Sequence, residues 1–260
     1  MVDGPTSAET TRPFGIKDYQ NLSIEDFRNR FSSITTPPEH FLDPIGHFIT
    51  NEYDYPKSLN QIYVRGGLHL AVMGGVDPVF GQIAVARPDL TIMTDINSEG
   101  IETIIDGRIK PLENSQSGDE YWNRVGDYFI KVIRKKDPTR WDFPIGQDVS
   151  SGGWSSKDHY AAVQRAIQEG KVKFVSGEII KDGLDLVRKI AKETGIPLRL
   201  IYVSNIFHYS TNDRETFRQK LIKGVDEGWI ERTAQVIDTG TRRENHSTKI
   251  FTLEEYASLS

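Results

Sequence analysis

Short apolar runs alternate with amphipathic stretches through most of the chain. Leu68–Met73 ends at Gly74-Gly75, Leu90–Thr94 at Asp95, Val172–Val175 at Ser176-Gly177-Glu178, Arg199–Val203 at Ser204-Asn205, and Thr233–Ile237 at Asp238. Each run is four to six residues long and mostly apolar, the pattern of strands covered on both faces. Between them lie helical patterns. Pro78–Arg87 joins the first two runs. Asp182–Thr194 puts Leu184, Val187, Ile190 and Ala191 on one face, with Gly195 as its stop and Pro197 beyond. Asp213–Gly224 carries Phe217 and Leu221 four apart. Strand–helix–strand repetition predicts right-handed crossovers and a parallel sheet. The predicted class is α/β: a Rossmann-like, mostly parallel sheet flanked by helices, with an N-terminal helical segment.

That segment, 1–60, begins with thirteen polar, Thr- and Pro-containing residues expected to be loose. Ser23 then reads as an N-cap, with Asp26 three residues on and Ile24, Phe27 and Phe31 following at helical spacing. Thr35-Thr36-Pro37-Pro38 ends this helix, and a second is expected over 39–50. Phe14, Tyr19, Phe27, Phe31, Phe41, Phe48, Tyr53 and Tyr55 fall within 14–60. Such an aromatic segment could be a cap or lid over a site, but a packing layer on the sheet is the favoured reading. Residues 61–260 are expected to form the ligand-binding domain, with a helical insertion at about 101–171 carrying helices over 119–135 and 156–169. The Pro-, Gly- and Ser-rich connection between those helices is long for a compact domain. It is a candidate substrate loop, with Trp141, Phe143 and Trp154 as apolar contacts.

In an open parallel sheet, ligands bind beyond the carboxyl ends of the strands, near the switch in strand order. Gly74-Gly75 is a glycine turn leading into a helix, where a backbone can approach a ligand closely; a tight structural turn would look the same. Asp95 falls about 20 residues later, at the end of the next run. A carboxylate there can accept both hydroxyls of a ribose, although Asp95, Asn97 and Ser98 also suit a helix N-cap. Gly177-Glu178 offers an acceptor and amides for adenine. Ser204-Asn205 ends the following strand, where a reacting group would face the centre of the ligand, with His208 and Tyr209 just after. Capping would account for any one of these; the four in succession are more specific.

These stretches, AVMGGVDPVFGQIAVARPDLTIMTDIN with VKFVSGEI and LIYVSNIFHY, resemble a divergent branch of the class I S-adenosylmethionine-dependent methyltransferase superfamily, over about 170 residues from Leu68 to Thr241. The resemblance implies S-adenosylmethionine as cofactor. It implies that Gly74 and Gly75 line the methionine portion, Asp95 takes the ribose with Ile96 and Asn97 flanking it, and Gly177 and Glu178 approach the adenine. Ser204 and Asn205 would hold the catalytic-motif position, with His208 and Tyr209 as bases if the acceptor keeps its proton. Arg65, shortly before the first strand, is the candidate for the cofactor carboxylate. The pattern departs from the family where Asp77-Pro78 replaces the third motif glycine and the first strand lacks its usual acid. No Asn-Pro-Pro-Tyr occurs, which disfavours methylation of base amino groups in nucleic acids.

Composition narrows the reading. The net charge is −5 with Lys and Arg spread along the chain, so no basic stripe is evident and a small-molecule substrate, with no nucleic acid, is expected. There are no cysteines, which excludes disulfides and thiolate chemistry. The six histidines, His40, His47, His69, His159, His208 and His246, show no ligand spacing, so no metal is expected. No Gly-x-Ser-x-Gly elbow supports a serine nucleophile. The polar start has no apolar signal region and no run approaches a membrane span, so a cytoplasmic protein without a membrane partner is expected. The oligomeric state is not legible. Methyl transfer to a small molecule is the leading expectation. Its alternatives are cleavage at the aminocarboxypropyl arm, cyclising it to azetidine-2-carboxylate with release of methylthioadenosine, as azetidine-2-carboxylate synthases of that superfamily do, and a non-catalytic nucleoside-binding module.

Overall fold

The five apolar runs form the parallel part of a six-stranded sheet. In the computed structural model, which describes residues 14–31, 55–73, 76–136, 154, 157–204, 211–242 and 245–259, the strands are β1 (Leu68–Val72), β2 (Leu90–Asp95), β3 (Val172–Ser176), β4 (Leu198–Ser204), β5 (Ile230–Arg242) and β6 (Asn245–Thr252). Their order is β3-β2-β1-β4-β5-β6. The first five run parallel, and β6 returns antiparallel along β5 from Arg242↔Asn245 to Gln235↔Thr252. The chain therefore builds outward from β1 to β3, then crosses to lay β4 on the other side of β1. That reversal between β1 and β4 is the switch point at which such sheets open a crevice. The expected architecture holds, with β6 as an addition.

Alternate residues of the strands feed two cores, as a sheet covered on both faces requires. Ala71, Met93, Phe174, Leu200 and Tyr202 face one layer. It holds helices α3 (Tyr55–Leu59), α4 (Val76–Ala86), α5 (Ser98–Ile104), α6 (Lys110–Glu113), α7 (Gly118–Tyr128), α8 (Arg134–Lys136) and α9 (Lys157–Gln168). Leu68, Leu70, Leu90, Ile92, Ile201 and Val203 face the other. Packed there are α1 (Ile16–Asn21) and α2 (Ile24–Arg30), then α10 (Leu184–Thr194), α11 (Thr211–Asp226) and α12 (Leu253–Ala257). Among the described residues, three π-helical turns adjoin these helices: Ile105–Ile109 between α5 and α6, Phe129–Ile133 between α7 and α8, and Ile179–Gly183 before α10.

Local sequence signals explain the helix ends. Asp26 N–H donates to the Ser23 hydroxyl at 2.9 Å, so Ser23 caps α2. Gly195 takes φ +71° after α10, a left-handed conformation costly for any residue with a Cβ. The helices over 101–136 and α9 form the long crossover from β2 to β3. The expected helix over 39–50 and most of the connection 137–156 lie outside the described residues.

α1 and α2 belong to the second core layer. Tyr19 and Phe27 are fully buried and Phe31 nearly so. Tyr19 lies 6.2 and 6.3 Å from Phe27 and Phe31, ring centre to ring centre. Lys173, buried on β3, donates to the carbonyls of Gln20 and Leu22, and Gln20 Nε2 donates to the Asp89 carbonyl at 2.7 Å.

Candidate functional site

Asp95 is the last residue of β2 and is buried. Its neighbours come from both adjacent strands. Met73 N–H donates to the Thr94 carbonyl at 3.0 Å, so β1 leaves the sheet beside Asp95; Gly177 N–H donates to the Asp95 carbonyl at 2.8 Å, bringing in the end of β3. The carboxylate Oδ1 accepts Asn97 N–H at 2.7 Å. Capping of α5 falls to the next polar residue along: Asn97 Oδ1 accepts Gly100 N–H at 2.9 Å. Asn97 is thus the N-cap of α5, and the Asp95 carboxylate is oriented by a backbone amide. Ile96, half-buried, lies between the two.

The other strand-end residues divide. Gly177 is buried against Asp95, whereas Glu178 is exposed, its N–H held by Asp182 Oδ2 at 3.0 Å and its carbonyl accepting Asp182 and Gly183 amides. Glu178 thereby starts the π-helical turn Ile179–Gly183. Ser204 ends β4, is buried and stands in register with Thr239. Asp238, in register with Val203, is buried; desolvation raises its carboxyl above the usual range against the lowering effect of Arg214, 3.6 Å away. Gly74, Gly75, Asn205, His208 and Tyr209 lie outside the described residues.

Arg65 requires a correction. It precedes β1 and so lies at the amino ends of the strands, while Asp95 lies at their carboxyl ends. The length of β1, roughly 16 Å at the usual rise per residue, separates the two levels. Its guanidinium donates to the carbonyls of Ile62 and Val64 at 3.0 and 2.9 Å, so it closes a local turn. In a parallel sheet a residue that precedes its strand lies at the amino ends, opposite the ligand crevice, so the place of Arg65 in the sequence already argued against it.

Trp154 is a second correction. It was expected as an apolar contact for substrate, but it is wholly buried. Its indole N–H donates to Asp77 Oδ1 at 2.9 Å. The same carboxylate forms an ion pair with Arg108, and Arg108 Nε donates to the Tyr121 hydroxyl at 2.7 Å. Phe80, Tyr121 and Tyr160 surround the indole, with ring centres 4.8, 5.3 and 6.4 Å away. Arg108 carried no sequence signal, because it becomes special only through the π-helical turn that holds it. Aromatic residues of the N-terminal segment are likewise used in packing: Tyr19, Phe27 and Tyr55 are core residues.

Beside the strand ends, a cavity of about 610 Å³ lies between α2, α5 and β3, lined by Ile24, Phe31, Ile105, Val175 and Ser176 among others. An Arg28–Glu102 ion pair joins the two helices there. Ser176, the register partner of Asp95, has a buried hydroxyl with no hydrogen-bond partner among the described residues. Elsewhere, His69 on β1 is fully buried, hydrogen-bonded to Gln82 at 3.0 Å, and desolvation lowers it to about 3. No described helix is long and apolar enough to cross a membrane.

Comparison with known proteins adds little chemistry. A family model described as a domain of unknown function, DUF7790, matches residues 146–255, which takes in β3 to β6 and leaves β1, β2 and Asp95 outside. No curated protein matches the chain. Among solved structures the chain is similar to the rRNA methyltransferase aviRa from Streptomyces viridochromogenes, at 10% identity and a TM-score of 0.40, over 76% of this chain and 78% of that one. The expectation of a small-molecule partner and no nucleic acid is corrected by that finding, since that protein is described as acting on rRNA. The physical reason lies in the premise: charges spread along a sequence can still be gathered on a folded surface, so an even distribution of Lys and Arg does not exclude a phosphate backbone.

Proposed function

We propose that the chain is an S-adenosylmethionine-dependent transferase that carries out methyl transfer at the crevice formed by β1, β2 and β4. The observation that carries this reading is Asp95: a buried carboxylate at the end of β2, next to the switch point, oriented by Asn97 N–H. A carboxylate has lone pairs for several donors, and ribose hydroxyls supply two of them. Gly177, bonded through its N–H to the Asp95 carbonyl, adds no side chain there, and the Ser176 hydroxyl, without a hydrogen-bond partner among the described residues, offers a further polar contact. Both features fit a nucleoside.

Bound there, S-adenosylmethionine would supply an electrophilic methyl carbon on its sulfonium. What remains for the chain is to hold the nucleoside and align an acceptor, since in-line positioning provides most of the acceleration in such displacements. Ser204, with Asn205, His208 and Tyr209 following it, is assigned to the acceptor side because β4 lies across the switch from β2.

Calorimetric titration with S-adenosylmethionine, S-adenosylhomocysteine, methylthioadenosine and NAD tests the reading. S-adenosylmethionine and S-adenosylhomocysteine should bind, and Asp95→Ala should weaken both by about tenfold or more, the cost of losing charge-assisted hydrogen bonds. Preference for NAD, or affinity unchanged in Asp95→Ala, would overturn it. The acceptor is found by assaying labelled methyl transfer to total RNA and to a panel of small nucleophiles.

A further inference from the structure

We infer that the cavity between α2, α5 and β3 is a second small-molecule site. Its occupant is an uncharged compound with an apolar body and an amide-like group that both donates and accepts hydrogen bonds. The site lies apart from the crevice assigned to the nucleoside. β3 is the outermost strand on its side of the sheet and stands two strand spacings, about 10 Å, from β1. Val175 and Ser176 both line the cavity, although neighbouring residues of a strand point to opposite faces of the sheet. A single cavity meets both by lying at the outer edge of β3, where α2 comes from one layer and α5 from the other.

The walls define the occupant. A volume of about 610 Å³ falls among small-molecule sites, which span roughly 300–1,000 Å³. Ile24 and Phe31 on α2, Ile105 beyond α5 and Val175 on β3 give an apolar body contacts on several sides. The neutral polar groups come from Ser176. Its hydroxyl is buried and has no hydrogen-bond partner among the described residues, a condition that native proteins rarely leave without a reason. Its backbone is open as well. Gly177 N–H and the Lys171 carbonyl both bond to β2. Alternate residues of a strand turn their backbone groups to alternate sides, so Ser176 turns its N–H and carbonyl to the outer edge. Among the described residues no backbone group pairs with them. A carboxamide answers this set with its own donor and acceptor. Charge narrows the class further. Glu25, Arg28 and Glu102 line the cavity, and Arg28 is already paired with Glu102. Acid therefore exceeds base there, which disfavours an anion. A cation would lose hydration against apolar walls and the neutral groups of Ser176. A serine hydroxyl has one donor and two acceptor positions, so Ser176 can serve this occupant and a nucleoside beside Asp95 together.

The full chain, labelled at isoleucine and valine methyls, is titrated with benzamide and followed by NMR. Benzamide should shift the Ile105 and Val175 signals to saturation, and benzoate and benzylamine should bind about tenfold more weakly. Ser176→Ala should weaken benzamide about fivefold, the worth of one neutral hydrogen bond. Its melting temperature should be unchanged or higher, because the hydroxyl removed has no partner in the free protein. Ile105→Trp fills the cavity and should abolish binding; if that variant fails to fold, Ser176→Ala carries the comparison. Asp95→Ala should bind benzamide as the parent does. Silence at Ile105 and Val175, or equal binding of either charged analogue, would overturn the inference. So would undiminished affinity or a lower melting temperature in Ser176→Ala. Loss of benzamide binding in Asp95→Ala would overturn it too, by moving the ligand to the crevice. Failure of the parent to bind S-adenosylmethionine would overturn the functional reading alone, since benzamide binding is measured without it.

Discussion

At the scale of single residues, burial decides chemistry that residue type leaves open. His69 is the plainest case. Enclosed in the sheet and bonded to Gln82, it is held at about 3 by desolvation, against an ordinary 6.5. Between those values the unfolded chain binds a proton that the folded chain refuses. The resulting stability is fully present above pH 6.5 and is lost as pH falls toward 3, at about 1.4 kcal/mol per pH unit. Urea denaturation at pH 7.5 and pH 5 should show a loss attributable to His69 of about 2 kcal/mol. His69→Gln should remove that increment while other acid-sensitive groups keep theirs; an identical pH dependence would refute the assignment. Asp95 and Asn97 show the same principle in a different form. Both have the chemistry of an N-cap, and backbone position gave the cap to Asn97 and the strand end to Asp95.

Between elements, the contacts that matter are polar groups reaching from one segment to another. Lys173 is the attachment of the N-terminal helices to the sheet edge. Its ammonium donates to the carbonyls of Gln20 and Leu22, and desolvation lowers it to about 8. Lys173→Met keeps the aliphatic stem and removes the donors, leaving those carbonyls unsatisfied at about 2 kcal/mol. Amide exchange and proteolysis within 14–31 should accelerate while the strands β1 to β5 stay protected. Uniform acceleration across the chain would mean instead that these helices unfold only with the whole domain.

Across the whole molecule, the last strand closes what the parallel strands leave open. β6 pairs with β5 for eight residues, and α12 behind it buries Leu253 and Tyr256 in the core. A chain ending at Arg242 would expose the long edge of β5, which invites pairing between molecules. Size-exclusion chromatography should show that variant as high-mass species; a stable monomer would mean that β6 is dispensable.

The repeated apolar runs were sufficient to predict β1 to β5 and their parallel course, because a strand buried on both faces must be apolar nearly throughout. β6 escaped, since Asn-His-Ser-Thr-Lys-Ile-Phe-Thr is mostly polar and its pairing depends on β5 being beside it. Strand ends are also local features, and Asp95 and Gly177 were legible as a result. The amino-end place of Arg65 was legible too, because in a parallel sheet a residue that precedes its strand lies opposite the carboxyl ends. What the tertiary structure alone decided is which distant side chains meet: Asp77 is 31 residues from Arg108 and 77 from Trp154 along the chain, and no local pattern records contacts made by a crossover folding back onto α4. Periodicity reports the burial of a segment on its own neighbours, whereas convergence in space follows from the path of the chain between segments.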